Sequence, residues 1–541
     1  MSLRNRIFLP VILSAFGALV GCGGNGVSIT RPTPPPSGGF SPSNLNGTYV
    51  FSVSGTDTNG FPYAIVGTFT ANGSSGITGG VLDLNDAGFA ASSPAISPVA
   101  NAPIRSGSYS LGVDGRGQVK LNNNTPFSSP IMLDFVLQDN THGLVTEFDG
   151  NASGSGSLDL QSSGVTPTGS YAFIFSGAYG SSSLATAGNF TLNGSAMSGL
   201  EDLNSSISPY ANETLTGAFA LGPSSKPATQ ISSAPSGSNP NFTITYDVVA
   251  IDATHLKFIE MDSSGTLSGD AFAQSSTTLP TGTLAFTVIG STTSAVIATG
   301  GFMVTDGSGN ITNASTEDVN NTGSVSASSI NFSGAYTAGG TGRYTLSLVN
   351  FADGTQFVAY PSNGGVLLLE MDPGGMMAGA AYAQTAGATV AASQGYALNL
   401  SGTNLGASTG QAAEVDDIAE FATASSAGTL TGITDENFAP GSSPIFAVAL
   451  SGNYNTPDSN GRGQLGANAG NSTTSTLNGG FNLTYYAVDG TTFPFIETDN
   501  GQVTAGAFVK QNPAASSSAA TRSHMYVLPP VVRPRTAGKQ K

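Results

Sequence analysis

The chain has 541 residues, which exceeds one ordinary domain and allows several, each with its own core. Only 9% of the residues are charged and 39% are apolar, a balance that favours short strands and many turns over helices with charged surfaces. The net charge is -17, and residues 45–512 hold all 33 acidic residues but only eight of the 16 basic ones, so this body repels phosphate backbones and nucleic acid is excluded as a partner.

Residues 1–22 have the features of a secretory leader. Arg4 and Arg6 precede an apolar run from Ile7 to Val20, which at 14 residues is too short for a membrane-spanning helix. The run ends in the tetrapeptide LVGC, which resembles the bacterial lipobox and implies cleavage before Cys22 and acylation of Cys22, palmitate included. Because the residue after the cysteine is not Asp, the resemblance also implies the outer membrane of a diderm bacterium. Cys22 is the single cysteine, so the protein has no internal disulfide.

Residues 23–44 consist mainly of Gly, Pro and Ser and include three consecutive prolines. Such a segment buries almost no apolar surface and stays extended, at about 3.1 Å per residue where it is rich in proline. We therefore expect a linker that holds the first domain away from the lipid.

Four copies of one sequence pattern follow, at residues 45–163, 164–276, 277–387 and 388–512. In each copy an opening glycine, an Asp-x-Asn pair, a Glu-x-Asp pair and a glutamine recur in the same order. The opening glycines are Gly47, Gly169, Gly282 and Gly395, and the Asp-x-Asn pairs are Asp83/Asn85, Asp202/Asn204, Asp318/Asn320 and Asp435/Asn437. The Glu-x-Asp pairs are Glu147/Asp149, Glu260/Asp262, Glu370/Asp372 and Glu497/Asp499, and the glutamines are Gln161, Gln274, Gln384 and Gln511. The opening glycines are 113 to 122 residues apart, a period longer than that of common solenoid repeats. Each copy is therefore expected to be a whole domain.

Apolar residues alternate with polar ones in the runs that open each copy, as at Tyr49, Phe51 and Val53. This period predicts strands with one buried face and one Ser/Thr-rich face in water. Asn72-Gly73 and its counterparts predict tight hairpin turns, so neighbouring strands should pair antiparallel. We expect about eight strands in roughly 115 residues, the size at which an up-and-down barrel closes.

The glycine-x-aromatic start, the meander of hairpins and the late acidic strand resemble small lipocalin-like or avidin-like barrels, with Tyr or Phe where those families place Trp. They also resemble uncharacterised repeat domains of bacterial lipoproteins. The resemblance implies an all-β fold of four tandem antiparallel barrels, but no ligand-binding residue of either family can be placed on this chain. Halving each copy into four-stranded blades gives the alternative, an eight-bladed β-propeller.

Residues 513–541 are rich in Ser, Ala and Pro and contain five basic residues. This composition predicts a disordered basic tail. The tail is either simply solvated or in contact with phosphates of lipid headgroups or lipopolysaccharide.

The Glu-x-Asp pairs are the first candidates for chemistry, because carboxylates at i and i+2 lie on one face of a strand and paired carboxylates serve in glycosidases. The pair recurs in every copy, which favours a structural role over four identical active sites. In that interpretation Asp starts the next turn and Glu faces a cationic or amide partner. Three arginines are expected as partners in copies one, three and four: Arg116, Arg343 and Arg462.

Other motifs give little support for a catalytic or metal site. His142 and His255 occupy equivalent places in copies one and two, but no second histidine or thiol lies nearby in sequence, so no metal is expected. The acidic loops that begin at Asp57 and Asp306 do not complete the spacing of a calcium loop. A Gly-x-Ser-x-Gly match around Ser408 lacks the strand-turn-helix context of a nucleophile elbow.

These features predict a lipid-anchored, extracytoplasmic envelope protein that is not an enzyme, uses no cofactor, and serves as a surface binding, adhesion or structural module. Its expected partners are the membrane, through the lipid anchor, and a surface polysaccharide or protein. One alternative is a lipocalin-like carrier of small hydrophobic ligands. The other is an envelope hydrolase that uses the Glu-x-Asp carboxylates.

Overall fold

The computed structural model describes residues 39–513 except for 91–95, 128–129, 181, 206–207, 220, 222–231, 234–243, 293–294, 353, 407–411, 427, 441–443 and 470–479. The described residues belong to one compact unit, 34–541. The leader with Cys22, most of the linker, Ser408 and the tail beyond residue 513 lie outside the described residues.

Barrel 1 begins with a short 3-10 helix, Pro42–Asn44, and contains one further helical turn, α1 (Ala87–Ala90). Its strands are β1 (Asn46–Asp57), β2 (Pro62–Asn72), β3 (Gly76–Asp86), β4 (Val99–Ile104), β5 (Ser106–Leu111), β6 (Arg116–Asn122), β7 (Ile131–Leu137), β8 (His142–Glu147) and β9 (Ala152–Leu160). Each strand pairs antiparallel with a neighbour, and β1 pairs with both β2 and β9. Strand β3 pairs with β2 on one side and with β4 and β5 on the other, so the sheet closes on itself.

Barrel 2 repeats this meander. Its strands are β10 (Gly169–Tyr179), β11 (Ser182–Asn193), β12 (Ala196–Ser205), β13 (Pro209–Ala218), β14 (Ser232–Ser233), β15 (Ile244–Asp252), β16 (His255–Glu260) and β17 (Ser268–Ala273). Strand β10 pairs with both β11 and β17, as β1 does with β2 and β9. Within the described residues, β13 and β14 are the two ends of this sheet.

Barrels 3 and 4 are closed, with eight strands each. Barrel 3 contains β18 (Gly282–Thr292), β19 (Val296–Thr305), β20 (Asn310–Asn321), β21 (Ser324–Ala338), β22 (Tyr344–Val349), β23 (Gln356–Ser362), β24 (Gly365–Glu370) and β25 (Gly375–Ala383). Barrel 4 contains β26 (Gly395–Asn404), β27 (Ala413–Thr423), β28 (Thr429–Ala439), β29 (Ile445–Tyr454), β30 (Arg462–Ala469), β31 (Phe481–Tyr486), β32 (Thr492–Glu497) and β33 (Gln502–Lys510). The helices of the described residues are too short to span a lipid bilayer.

The predicted fold class is confirmed: the protein is all-β, with tandem antiparallel barrels, and the propeller alternative is wrong. The turn at Asn72-Gly73 shows the local cause of the hairpins. Gly73 has a φ of 74°, which a residue without Cβ adopts freely, and the Asn72 side-chain oxygen accepts hydrogen bonds from the backbone N–H groups of Ser74 and Gly76, both at 2.9 Å. This turn joins β2 to β3, so its geometry favours the register that places Phe69 opposite Gly80.

Aromatic side chains fill the barrel interiors. In barrel 1 the rings of Tyr49 and Phe69 stack at 6.0 Å between centroids, and both residues are buried. In barrel 3, Phe286 and its neighbours leave a cavity of about 20 Å³, and in barrel 2 a cavity of about 10 Å³ lies beside Phe173. Volumes of this size hold about one water molecule, so these interiors are packed cores.

One expectation about the strand faces is wrong. The outward face of the first strands was predicted to lie in water, but Val50, Ala172, Ile174 and Ala285 each have 0% exposure. These outward-facing side chains pack against the neighbouring barrel. The predicted alternation of buried and exposed residues holds instead in outer strands such as β13, β21 and β22. Strand periodicity identifies two faces, but only the packing of whole domains decides what covers each.

Candidate functional site

The four barrels contact one another in a closed cycle of four junctions. The first three strands of each barrel lie against strands from the last three of the next barrel, and β26, β27 and β28 of barrel 4 lie against β7, β8 and β9 of barrel 1. All four interfaces are head-to-tail, the type that closes into a cycle when the rotation between units allows it. The closing junction buries apolar side chains from both barrels: Val136, Leu144, Ala397, Ile418 and Val509.

A buried asparagine at each junction, the second residue of the Asp-x-Asn pair, binds the next barrel. Asn204 of barrel 2 donates from Nδ2 to the backbone oxygens of Glu370 at 2.7 Å, Gly375 at 2.8 Å and Asp372 at 3.4 Å in barrel 3. Two of the other junction asparagines donate to the three equivalent oxygens, and Asn437 donates to two of them: Asn85 to Glu260, Asp262 and Gly265; Asn320 to Glu497, Asp499 and Gln502; Asn437 to Glu147 and Ala152. The two repeated polar pairs of the sequence therefore meet, but across the boundary between copies.

In three of the four Glu-x-Asp pairs, the aspartate shapes the turn that the junction asparagine holds; in the fourth, Asp372 accepts from the backbone N–H of Gln356 at 2.8 Å. Asp149 Oδ1 accepts from the backbone N–H of Asn151 at 2.9 Å, and Asp499 Oδ1 accepts from that of Gly501 at 2.8 Å. These contacts are Asx turns, in which a carboxylate satisfies the N–H two residues on. The backbone oxygens of this turn then accept hydrogen bonds from the junction asparagine of the preceding barrel.

The glutamate of each pair points into its own barrel. Glu147, Glu260 and Glu497 have 0% exposure. Glu147 Oε2 accepts from the Tyr63 hydroxyl at 2.9 Å, and Glu260 Oε2 accepts from the backbone N–H of Leu267 at 2.9 Å. Burial, and then the charge of the neighbouring aspartate, raise the pKa of all three carboxyls well above the ordinary value. Such groups are closed to a substrate from solvent.

The three arginines pair with different residues from those expected, and this expectation is corrected. Arg343 donates from Nε and Nη2 to the two carboxylate oxygens of Asp202, both at 2.7 Å, and the Tyr360 hydroxyl also donates to Asp202. Arg462 binds Asp318 in the same way at 2.8 and 3.0 Å. The aspartate belongs to the preceding barrel in each case. The glutamates face the barrel interiors, while these arginines lie on the junction face.

Arg116 repeats this geometry in a weaker form at the closing junction. Its Nη1 lies 3.7 Å from Asp435 of barrel 4, while its Nε donates to Asp114 of its own barrel at 2.8 Å. The two carboxylates share one buried guanidinium. The ionic contact across this junction is therefore longer than those of Arg343 and Arg462.

The junction between barrels 1 and 2 differs in its charges. Among the described residues, the buried Asp83 carboxylate faces Asp247, and burial together with this neighbouring carboxylate raises the pKa of Asp83 to about 8. In sequence, Lys226 is the counterpart of Arg343 in barrel 2. Each residue follows the aromatic residue of the second Gly-x-aromatic motif of its copy, Phe219 or Tyr336, by seven positions. Lys226 lies outside the described residues.

The repeated glutamines also reach across junctions, a role that their position at strand ends did not reveal. Each Nε2 donates to a backbone oxygen of the next barrel: Gln161 to Ala250 at 2.7 Å, Gln274 to Pro361 at 2.9 Å, Gln384 to Ala487 at 2.9 Å, and Gln511 to Leu137 at 2.9 Å. The signal that could have indicated this role is the recurrence of an amide at one fixed position in all four copies.

His142 and His255 each contact a buried aspartate of their own barrel. His142 Nδ1 lies 2.6 Å from Asp159, and His255 Nε2 lies 2.6 Å from Asp270, which also accepts from Lys257 at 2.6 Å. Over the described ranges no group of three or more His, Cys, Asp or Glu side chains is arranged to hold a metal ion.

The two acidic loops considered for calcium bind their own backbone. Asp57 Oδ1 accepts from the N–H groups of Asn59 and Phe61, and Asp306 Oδ1 accepts from those of Ser308 and Asn310, at 2.7 to 3.0 Å. These are turn contacts of the kind that Asp makes at hairpins.

Comparisons with known proteins give limited similarity. No family model matches the chain, and no curated protein matches it. The structure of isotype 1 transferrin binding protein B from serogroup B Neisseria meningitidis is 10% identical, with a TM-score of 0.20, over 68% of this chain and 84% of that one. A double mutant of transferrin binding protein B from Haemophilus parasuis Hp5 is 11% identical, with a TM-score of 0.16, over 69% of this chain and 83% of that one. These values do not indicate a common function.

Proposed function

We propose that the protein is a lipid-anchored, non-enzymatic module of the cell envelope that presents its outer strands and loops to a surface polysaccharide or protein. One observation carries the proposal: a repeated asparagine and a repeated glutamine of all four copies bind the next barrel. Asn437 returns this pattern from barrel 4 to barrel 1. A chain whose recurrent amides join its own domains acts as a scaffold, and its variable loops are then available for recognition.

The burial of the repeated carboxylates supports a structural role over catalysis. The four glutamates are at most 3% exposed, and three of the aspartates that follow them hold turns: Asp149, Asp262 and Asp499. A glycosidase needs both carboxyl groups beside a sugar that enters from solvent. We therefore assign these eight residues to the folding and joining of the barrels.

The packed interiors count against carriage of hydrophobic ligands. Ligand pockets for small organic molecules are commonly about 300–1,000 Å³. The cavities beside Phe286 and Phe173 are more than tenfold smaller. Binding is therefore better supported on the outside, where β21 and β22 expose Ser326, Thr337 and Thr345. Repeated outer faces raise avidity for a repeating partner without new contacts.

Membrane anchoring is tested by Cys22→Ser, with Ser37→Ala in the linker as the matched control. We expect the first variant to leave the membrane fraction and the control to stay, since several acyl chains at about 0.8 kcal/mol per buried methylene make a lasting anchor. Retention of Cys22→Ser in membranes would contradict the lipid anchor.

The non-enzymatic assignment is tested by changing all four glutamates to glutamine. A glutamine keeps the shape of a protonated glutamate, so the variant should fold. We expect the unaltered protein and the variant to release equal, background amounts of sugar or peptide from envelope polysaccharide and peptidoglycan. Product released by the unaltered protein and lost in the variant would establish the hydrolase alternative.

A further inference from the structure

Barrel 4 carries an aspartate at the closing junction where the other barrels carry alanine. In every barrel, the residue five positions after Tyr49 or its counterpart on the first strand pairs with one residue of the second strand. That partner is alanine in three barrels and aspartate in the fourth: Ala64, Ala185, Ala298 and Asp416. All four have 0% exposure, and the alanines lie in apolar clusters shared with the next barrel. The closing junction therefore buries a carboxyl group where the others bury a methyl group.

Two serines of barrel 1 bind this carboxyl group. Ser153 Oγ donates to Asp416 Oδ2 at 2.6 Å, and Ser155 Oγ donates to Asp416 Oδ1 at 2.7 Å. In barrel 3 the residues at the same distances before the repeated glutamine are Met376 and Ala378, which belong to an apolar cluster. The closing junction thus has hydrogen bonds where the junction between barrels 2 and 3 has apolar contacts.

A second buried carboxyl group lies on the same face of β27. Glu414 precedes Asp416 by two residues and is 8% exposed. A Cβ placed on Gly55 would lie 2.8 Å from Glu414 Oε1, so this glutamate packs against the backbone of β1, and the Thr56 side chain hydrogen-bonds to it. Within the described residues, the ion pairs of this junction involve Arg116, and neither Glu414 nor Asp416 has a basic partner.

Ionisation of these two carboxyls opposes closure. Burial raises the pKa of Asp416 to about 6, although the serines stabilise its charged form, and burial together with the Asp416 charge raises the pKa of Glu414 well above its ordinary value. The other titratable groups that face them are also acidic: Tyr63 of barrel 1, which donates to Glu147, and Asp417 of β27. Each negative charge formed in this interface is therefore repelled by its neighbours.

The closing junction also differs from the other three in how its barrels are linked. Barrels 1 and 2, for example, are joined by residues 161–168 between β9 and β10. Barrels 4 and 1 are not consecutive in the chain, so their junction depends on non-covalent contacts such as those of Asn437 with Ala152 and of Gln511 with Leu137. Separation of this one junction would convert the closed cycle into a row of four folded barrels.

We propose that the closing junction is a pH-sensitive latch, which holds barrel 4 on barrel 1 while Glu414 and Asp416 carry protons and loosens as these carboxyls ionise. The sign follows from linkage: the closed form keeps protons that exposed carboxyls, with a pKa of about 4, release. This stabilisation is complete below about pH 4 and is lost as the pH rises through the pKa of the closed form, which is about 6 for Asp416. The latch determines whether the barrels form a closed cycle or an open row.

The opening of a junction is measured by the protection of a buried cysteine against a thiol reagent. Ala397→Cys reports the closing junction and Ala172→Cys the junction between barrels 2 and 3, because both alanines are 0% exposed and follow the opening tyrosine of their copy. The chain begins at residue 23, contains the whole compact unit and lacks Cys22, so each variant has one thiol. Rates are divided by that of the exposed Ser110→Cys at the same pH, which removes the effect of thiol ionisation.

From the titration of Asp416 alone, we expect the protection of Ala397→Cys to fall at least about tenfold between pH 5 and pH 8, and that of Ala172→Cys to stay within about twofold. Glu414→Gln with Asp416→Asn keeps the shape of the protonated pair and should remove the fall at Ala397→Cys. Asp416→Ala installs the residue of the other three junctions and should reduce it. Asp306→Asn, which removes an exposed carboxylate, is the control and should leave it unchanged.

Equal protection of Ala397→Cys at the two pH values would overturn the proposal. An equal fall at both cysteines would do the same, because it would indicate a loss of stability that is not confined to the closing junction. A fall that persists in Glu414→Gln with Asp416→Asn and in Asp416→Ala would assign the pH dependence to other groups and would also overturn the latch.

Discussion

The junction between barrels 2 and 3 and the junction between barrels 1 and 2 share an asparagine and differ in their charges. At the first, Arg343 pairs with Asp202. At the second, the described residues place Asp83 near Asp247. Both junctions keep the amide contact to the Glu-x-Asp turn of the next barrel. The comparison indicates that the amide contact is common to the two junctions, whereas the charges of their described residues differ.

The largest expected effect is the loss of the Arg343–Asp202 ion pair from the junction between barrels 2 and 3. Arg343→Met leaves Asp202 buried without its cation, which should lower the free energy of unfolding by about 3–5 kcal/mol. The measurement is urea unfolding followed by tyrosine fluorescence. The double variant Arg343→Met with Asp202→Leu should recover most of the loss, since an apolar pair removes the unpaired charge. An equally destabilised double variant would show that the ion pair is essential to the junction.

The next effect tests the shared asparagine. Asn204→Ala removes the donor to the backbone oxygens of Glu370 and Gly375, and leaves buried acceptors unsatisfied at a cost of about 2–4 kcal/mol. Asn331→Ala is the control, because Asn331 is exposed and donates only to the backbone of Asn313 in its own barrel. Asn85→Ala should cost about as much as Asn204→Ala. A cost confined to one junction would contradict the common role.

The carboxylates at the junction between barrels 1 and 2 also predict that the free energy of unfolding depends on pH. The pKa of Asp83 is raised to about 8, so the folded protein keeps a proton that the unfolded chain releases near pH 4. This contribution to stability is present below pH 4 and is lost as the pH rises toward 8. Burial also raises the pKa of Asp86 to about 7 and that of Asp416 to about 6, with the same sign.

Asp83→Asn measures the share of this dependence that belongs to the junction. The amide needs no proton, so the variant should gain about 1–3 kcal/mol at pH 8 and should match the unaltered protein at pH 4. Asp202→Asn is the matched change at the other junction and should destabilise at both values, because it weakens the pair with Arg343. A loss of stability in Asp83→Asn at pH 8 would indicate a cation beside Asp83.

The smallest expected effect concerns the repeated glutamines. Gln274→Ala removes one partly buried hydrogen bond to the backbone oxygen of Pro361, which should cost about 1 kcal/mol. Gln161→Ala should cost a similar amount, since its contact with Ala250 is of the same kind. Thermal unfolding of both variants would show whether the two junctions are equivalent once their charges are set aside.

The sequence by itself determined the strands, the turns and the fourfold repeat. Alternation at Tyr49, Phe51 and Val53 and the turn at Asn72-Gly73 depend on neighbouring residues, because pleating and positive φ are local properties. The aromatic content of the alternating faces also determined that each copy has its own core. The fold class followed from these features.

Tertiary structure alone decided which repeated residues meet. A period of more than 100 residues does not reveal whether Asn204 binds its own copy or the next, and the structure places it on Glu370 of barrel 3. Likewise, the pattern in β1 distinguishes two faces, but only domain packing covers Val50 and leaves the face of β22 in water. The physical reason is that these contacts join residues far apart in sequence, whose meeting depends on the shape of complete barrels.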